Sequence, residues 1–115
     1  MKKYKINEHG VCENPSTETV FNDGRFIAKI HLAENEGNWA FGYDFQIKGA
    51  GTGCFHSGAL PGFNKYRTKF ATPEEARKAA IEIGIKDFRM ASSWHNVSKV
   101  LSALNEALTP QLSLF

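Results

Sequence analysis

Cysteine is scarce: Cys12 and Cys54 are the only two thiols in 115 residues. A disulfide framework is therefore excluded, and at most one optional bridge could form. Long apolar runs are missing as well. The start, Met1-Lys2-Lys3-Tyr4-Lys5, is basic, but the apolar stretch of a signal peptide does not follow it. Nowhere does the sequence offer the roughly 20 consecutive apolar residues of a membrane span, so a cytoplasmic protein is expected. Charge of one sign is also in short supply. The net charge is +2, too small for holding DNA by bulk charge, and any nucleic-acid contact would need a local patch. Paired metal-ligand spacings are absent too. Cys54-Phe55-His56, with Cys12, His9 and His31, has the residue types of a zinc site without its spacing, so no metal and no cofactor is expected. A small buried cysteine and a surface histidine are the plain reading of Cys54 and His56.

What the chain does have is one core's worth of apolar residues, 42% hydrophobic and 12% aromatic. That suits one domain over residues 1–108 followed by a tail, 109–115. Residues 7–24 are polar and rich in turn formers, an irregular lead-in with a short strand at Thr19-Val20-Phe21. From Arg25 to Lys48 the pattern has period two. Phe26, Ala28, Ile30 and Leu32 alternate with Ile27, Lys29 and His31. After a turn at Glu34–Asn38, Trp39, Phe41, Tyr43, Phe45 and Ile47 share one face, and Ala40, Gly42, Asp44 and Gln46 share the other. This is an antiparallel hairpin with one buried face. Gly49-Ala50-Gly51-Thr52-Gly53 breaks the pattern. It lacks the Lys-Ser/Thr ending of a phosphate loop and leads into no helix, so it is read as a turn. A third strand is expected at Cys54–Ser57 and a fourth through Tyr66, Thr68 and Phe70.

At Thr72 the pattern becomes helical. Thr72-Pro73-Glu74-Glu75 offers a capping hydroxyl, a proline at the first helical position and a glutamate at the third. The helix is expected to reach about Met90 and to bury Ala76, Ala79, Ala80, Ile83 and Phe88, with Gly84 an awkward interior residue. Ser92 or Ser93 would cap a second helix carrying the apolar stripe Val97, Val100, Leu101, Leu104 and Leu108. Thr109-Pro110 would end it. The expected fold is α+β: an antiparallel three- to four-stranded sheet packed against two C-terminal helices.

The tail reads Gln111-Leu112-Ser113-Leu114-Phe115. This resembles the short peptide by which many bacterial polymerases, mismatch-repair proteins and mobile-element proteins contact the ring-shaped sliding clamp, in the pattern Gln-Leu, Ser or Asp, Leu-Phe. The resemblance implies that Gln111 hydrogen-bonds at the rim of the clamp's pocket. Leu112 and Leu114 would enter apolar subsites and Phe115 the deepest one. Pro110 would let the peptide leave the domain as an extended segment suited to a preformed groove. The setting implied is a bacterium or a cell carrying its phage, and the role a non-enzymatic accessory of DNA replication or repair with the sliding clamp as partner. The plain alternative is that Leu114 and Phe115 fold back on Leu104 and Leu108.

The hairpin, the third strand and Phe70-Ala71-Thr72-Pro73-Glu74-Glu75-Ala76 also resemble the arm-type DNA-binding domains of tyrosine recombinases, which lay a helix-backed sheet in the major groove. That resemblance implies a second reading, a small DNA-binding domain with its tail packed internally. Its contacts would come from Lys29, His31, Gln46, Lys65, Arg67 and Lys69, although Asp44 in the middle of the face opposes them. No active site is expected. Ser92, Ser93 and His95 are near neighbours without an activating carboxylate. Glu74, Glu75 and Glu82 solvate a helix face, and Trp94 is read as a core or inter-helix anchor.

Overall fold

The computed structural model describes residues 2–49 and 54–108. Four strands, β1 (Ser16–Asn22), β2 (Phe26–Asn35), β3 (Asn38–Ile47) and β4 (Phe55–Ala59), form one antiparallel sheet in chain order. Helices α1 (Pro73–Ala91) and α2 (Ser98–Leu108) cover one face, α1 over β2 and β3, α2 over β1 and β2. The expected α+β class with C-terminal helices is the observed one.

The strongest element is the β2–β3 hairpin, paired without a break from Phe26↔Ile47 to Asn35↔Asn38. Its two-residue loop has φ of 54° at Glu36 and 82° at Gly37. Positive φ at both central residues marks a type I′ turn, whose twist matches that of the strands it joins. β1 is longer than the three residues expected of it. Its register slips between Thr19↔Lys29 and Phe21↔Ala28, a bulge at Val20. Val20 and Phe21 consequently both pack against the core, and the alternation that would have betrayed the strand is lost. The expected fourth strand is absent as a strand. Residues 63–69 form a loop, and only Phe70 pairs, by two hydrogen bonds of 2.7 and 2.8 Å with Trp39.

Thr72 caps α1 as its sequence predicts: its Oγ1 accepts from the Glu75 amide at 3.2 Å and donates to the Glu75 carboxylate at 3.0 Å. The buried face is rotated from the expected one. Ala76, Ala80, Ile81, Gly84, Ile85, Phe88 and Ala91 face inward, while Ala79 and Ile83 are half-buried. Gly84 explains the rotation. A Cβ there would lie 2.8 Å from Cζ of the fully buried Phe45, so the helix rests directly on that ring. Ser92 ends α1, donating to the Arg89 carbonyl at 2.7 Å, and does not start α2. Asn96 takes the start of α2: its Oδ1 accepts from the Ser98 amide and hydroxyl at 3.2 and 2.8 Å.

One cation ties three elements together. Arg77 on α1 makes a two-pronged pair with Glu18 on β1, at 2.8 and 2.9 Å, and donates to the Ala107 carbonyl in the last turn of α2 at 2.9 Å. Its hydrogen bonds hold the Glu18 carboxyl below its ordinary 4.5, against the opposing effect of partial burial.

Two outcomes follow from this packing. Gly84→Ala gains about 0.5–1 kcal/mol of helix propensity but must displace Phe45. A net loss of about 1–3 kcal/mol is expected from overpacking, read as a lower urea midpoint with unchanged slope. The Glu18 carboxylate's depressed pKa makes its contribution complete above pH 4.5, lost as the pH falls through its folded value. With side chains 34% and 45% exposed, the pair contributes about 0.5–1 kcal/mol. Glu18→Gln should therefore lower the melting temperature at pH 7, and the difference from the native chain should shrink as the pH falls below 4.5.

Candidate functional site

The helices leave the other face of the sheet uncovered, and strand alternation sends Thr17, Thr19, Lys29, His31, Asp44, Gln46 and His56 to it. One end of this face is closed by the chain itself. A Cβ on Gly42 would collide with the Ala59 carbonyl and lie 2.8 Å from the Pro61 nitrogen, so β4 exits directly across β3. The N-terminal segment locks this crossing in place. The Cys12 amide donates to the Pro61 carbonyl at 2.9 Å and the Phe63 amide to the Gly10 carbonyl at 2.7 Å. Cys12 and Pro61 are fully buried there.

The other end is open and polar. Asp44 is its hub, accepting from Gln46 Nε2 at 3.0 and 3.2 Å and lying 2.9 Å from His56 Nε2. Beside it, His31 Nδ1 meets Thr17 Oγ1 at 2.8 Å. Burial pushes the His31 imidazole below its ordinary 6.5, with Lys29 acting the same way and Asp44 opposing. The structure thus brings Lys29, His31 and Gln46 together as the sequence suggested. It places Lys65, Arg67 and Lys69 elsewhere, in the loop after the crossing. Arg67 folds over Gly62 and donates to the Leu60 carbonyl at 3.1 Å, Lys69 donates to the Asn64 carbonyl at 3.2 Å, and Lys65 lies over the Tyr66 ring. Those three side chains therefore brace a loop, and the cations on the sheet face share it with a carboxylate.

Three further features bear on chemistry. Among the described residues, no group of three or more His, Cys, Asp or Glu is arranged to hold a metal ion. His95 Nδ1 faces Arg25 Nη2 at 3.3 Å, a donor where a general base would need a carboxylate. Trp94 is not a core anchor: it is 79% exposed, held by a tight turn in which its amide donates to the Ala91 carbonyl at 3.1 Å. With Met90, Phe55, Cys54, Ser57 and Asp87 it lines a cleft of 360 Å³ between β4 and the end of α1. Cys54, expected to be buried, is exposed here. The sequence signal for this cleft was weak, an indole placed just past a helix end. The residues of the candidate clamp-binding peptide, Gln111, Leu112, Leu114 and Phe115, and the loop residues Ala50–Gly53 lie outside the described residues.

No family model matches this chain, and no curated protein or solved structure does either.

The electrostatics of the open sheet face can be checked by NMR titration. The His31 ring should titrate below 6.5, and Asp44→Asn should lower it further because the opposing carboxylate is removed. As the unfolded chain takes the proton more readily, the stability this group contributes is full above pH 6.5 and declines below it.

Proposed function

We propose that this protein is a non-enzymatic accessory of bacterial or phage DNA replication or repair, docking on the sliding clamp through Gln111-Leu112-Ser113-Leu114-Phe115. The observation that carries the reading is the full pentapeptide match, set directly behind Thr109-Pro110. Proline cannot continue a helix, so an extended peptide is favoured after it, and such a peptide adds its apolar anchors to a preformed groove. Two facts about the domain support a role as carrier. The buried cluster joining sheet and helices is assembled from Ala28 to Leu104, and α2 reaches Leu108, with Thr109-Pro110 between it and the peptide. The competing reading, DNA held by the sheet face, gains less support. Asp44 sits at the centre of that face, and Arg67 and Lys69 are engaged with backbone carbonyls.

The reading is tested by titrating a bacterial sliding clamp with the intact chain and with a chain ending at Pro110. Micromolar binding of the intact chain is expected, about 8 kcal/mol of association free energy, with loss of binding in the shortened one. Leu114→Ala with Phe115→Ala should behave like the truncation. Equal affinity of all three, or binding by none, overturns the proposal.

A further inference from the structure

We propose that the cleft between β4 and the end of α1 binds a small organic cation, an ammonium group on an aromatic or apolar body. The inference is independent of the clamp-binding tail and stands on the lining of the cleft. Phe55 from the sheet edge, Met90 and Ala91 from the end of α1 and Trp94 from the turn beyond it give the cleft apolar walls. Met90 and Trp94 are 68% and 79% exposed, two of the four large hydrophobics that the described surface leaves in water. Their gathering on one rim marks a binding surface better than scattered apolar residues would. The cleft's 360 Å³ lies within the size range of small-molecule sites.

Charge decides the ligand class. Among the described residues, Asp87 is the only carboxylate that lines the cleft, and no lysine or arginine lines it. Its Oδ2 accepts from the Ser57 hydroxyl at 3.1 Å, which fixes the carboxylate across the gap between helix and strand. Arg25, which contacts the lining residue His95, is engaged at its Nδ1 and over the Phe26 ring and is not itself a lining residue. Acceptance at Nδ1 places the His95 ring proton on Nε2. A neutral apolar guest would cover Asp87 without pairing it, a costly burial of charge, and an anion would be repelled. A cation with an apolar body satisfies both parts of the wall, the carboxylate by charge and the indole face by cation–π attraction. A second hollow, between α1 and α2, measures 580 Å³ but is rimmed by Glu82 together with Lys86 and Arg89, so its cations outnumber its carboxylate and it does not call for a cationic guest.

The test is calorimetric titration of the full chain with phenethylamine and with its neutral counterpart 2-phenylethanol. Saturable amine binding is expected, with the alcohol weaker by roughly tenfold, as one charged contact commonly gives. Asp87→Asn keeps an acceptor for Ser57 and should weaken the amine severalfold, narrowing its advantage over the alcohol, whose affinity should not change. Trp94→Leu, at an exposed position that cannot upset the core, should weaken both ligands. Equal affinities of amine and alcohol for the native chain, undiminished amine binding by Asp87→Asn, or no saturable binding would each overturn the proposal. Clamp titration of Asp87→Asn should be unchanged, which keeps failure here distinct from failure of the tail reading.

Discussion

The structure depends on one close approach, the Phe45 ring against the backbone of α1 at Gly84. Phe45 is fully buried at the centre of β3, stacked on Tyr43 at 4.9 Å and set edge-on to Phe88 at 5.7 Å. With no Cβ at Gly84, the helix can settle onto the ring instead of riding above it. That height brings Phe88 to within 5.8 Å of Phe55 on β4. It also brings Asp87, one residue earlier, within reach of Ser57. The cleft beside Trp94 is therefore a by-product of how low the helix sits. A taller residue at position 84 would reshape it without touching it.

The two ends of the helical layer are fixed by different means. Near the start of α1, Arg77 draws the β1 edge and the last turn of α2 onto itself with three charge-assisted hydrogen bonds. At the far end the chain leaves α1 through a serine cap and a tight turn, and the attachments there are dispersed: the Ser57–Asp87 hydrogen bond, an edge-on contact of Phe26 with His95 and the Arg25 hydrogen bond. The cleft beside Trp94 lies at this second end. This division is common in binding proteins, where adaptable positions are supported by a rigid frame.

Most of the fold was legible because its strongest signals are local. Strict alternation in β2 and β3 and the Thr72-Pro73 start of α1 depend on neighbours in sequence, and both appear as read. The errors have non-local causes. β1 was underestimated because the bulge at Val20 breaks its period. The Tyr66–Phe70 alternation gave a loop because β3 pairs with β4 only through Tyr43, which leaves room for a single bridge at Trp39. The rotation of α1 follows from a glycine whose value lies in what faces it. Of the sheet-face residues, parity alone was enough to unite Lys29, His31 and Gln46. The bracing roles of Arg67 and Lys69 depend on a chain crossing that no period announces. Trp94 was misread because an indole near an apolar helix is usually buried, and only its turn geometry puts it outside.

The meander order of the strands has a consequence for synthesis. Every strand pairs with its neighbour in sequence, so the sheet can zip up as it emerges, beginning from a hairpin closed by two residues. The helices that cover it come last. Until residues 73–108 have left the ribosome, the row Phe41, Tyr43, Phe45 and Ile47 faces water on a sheet with two free edges, the arrangement most prone to pair with another chain. The Thr72 cap and the acidic first turn at Glu74 and Glu75 favour helix formation at that point in the chain, and α1 is the element that covers Phe45.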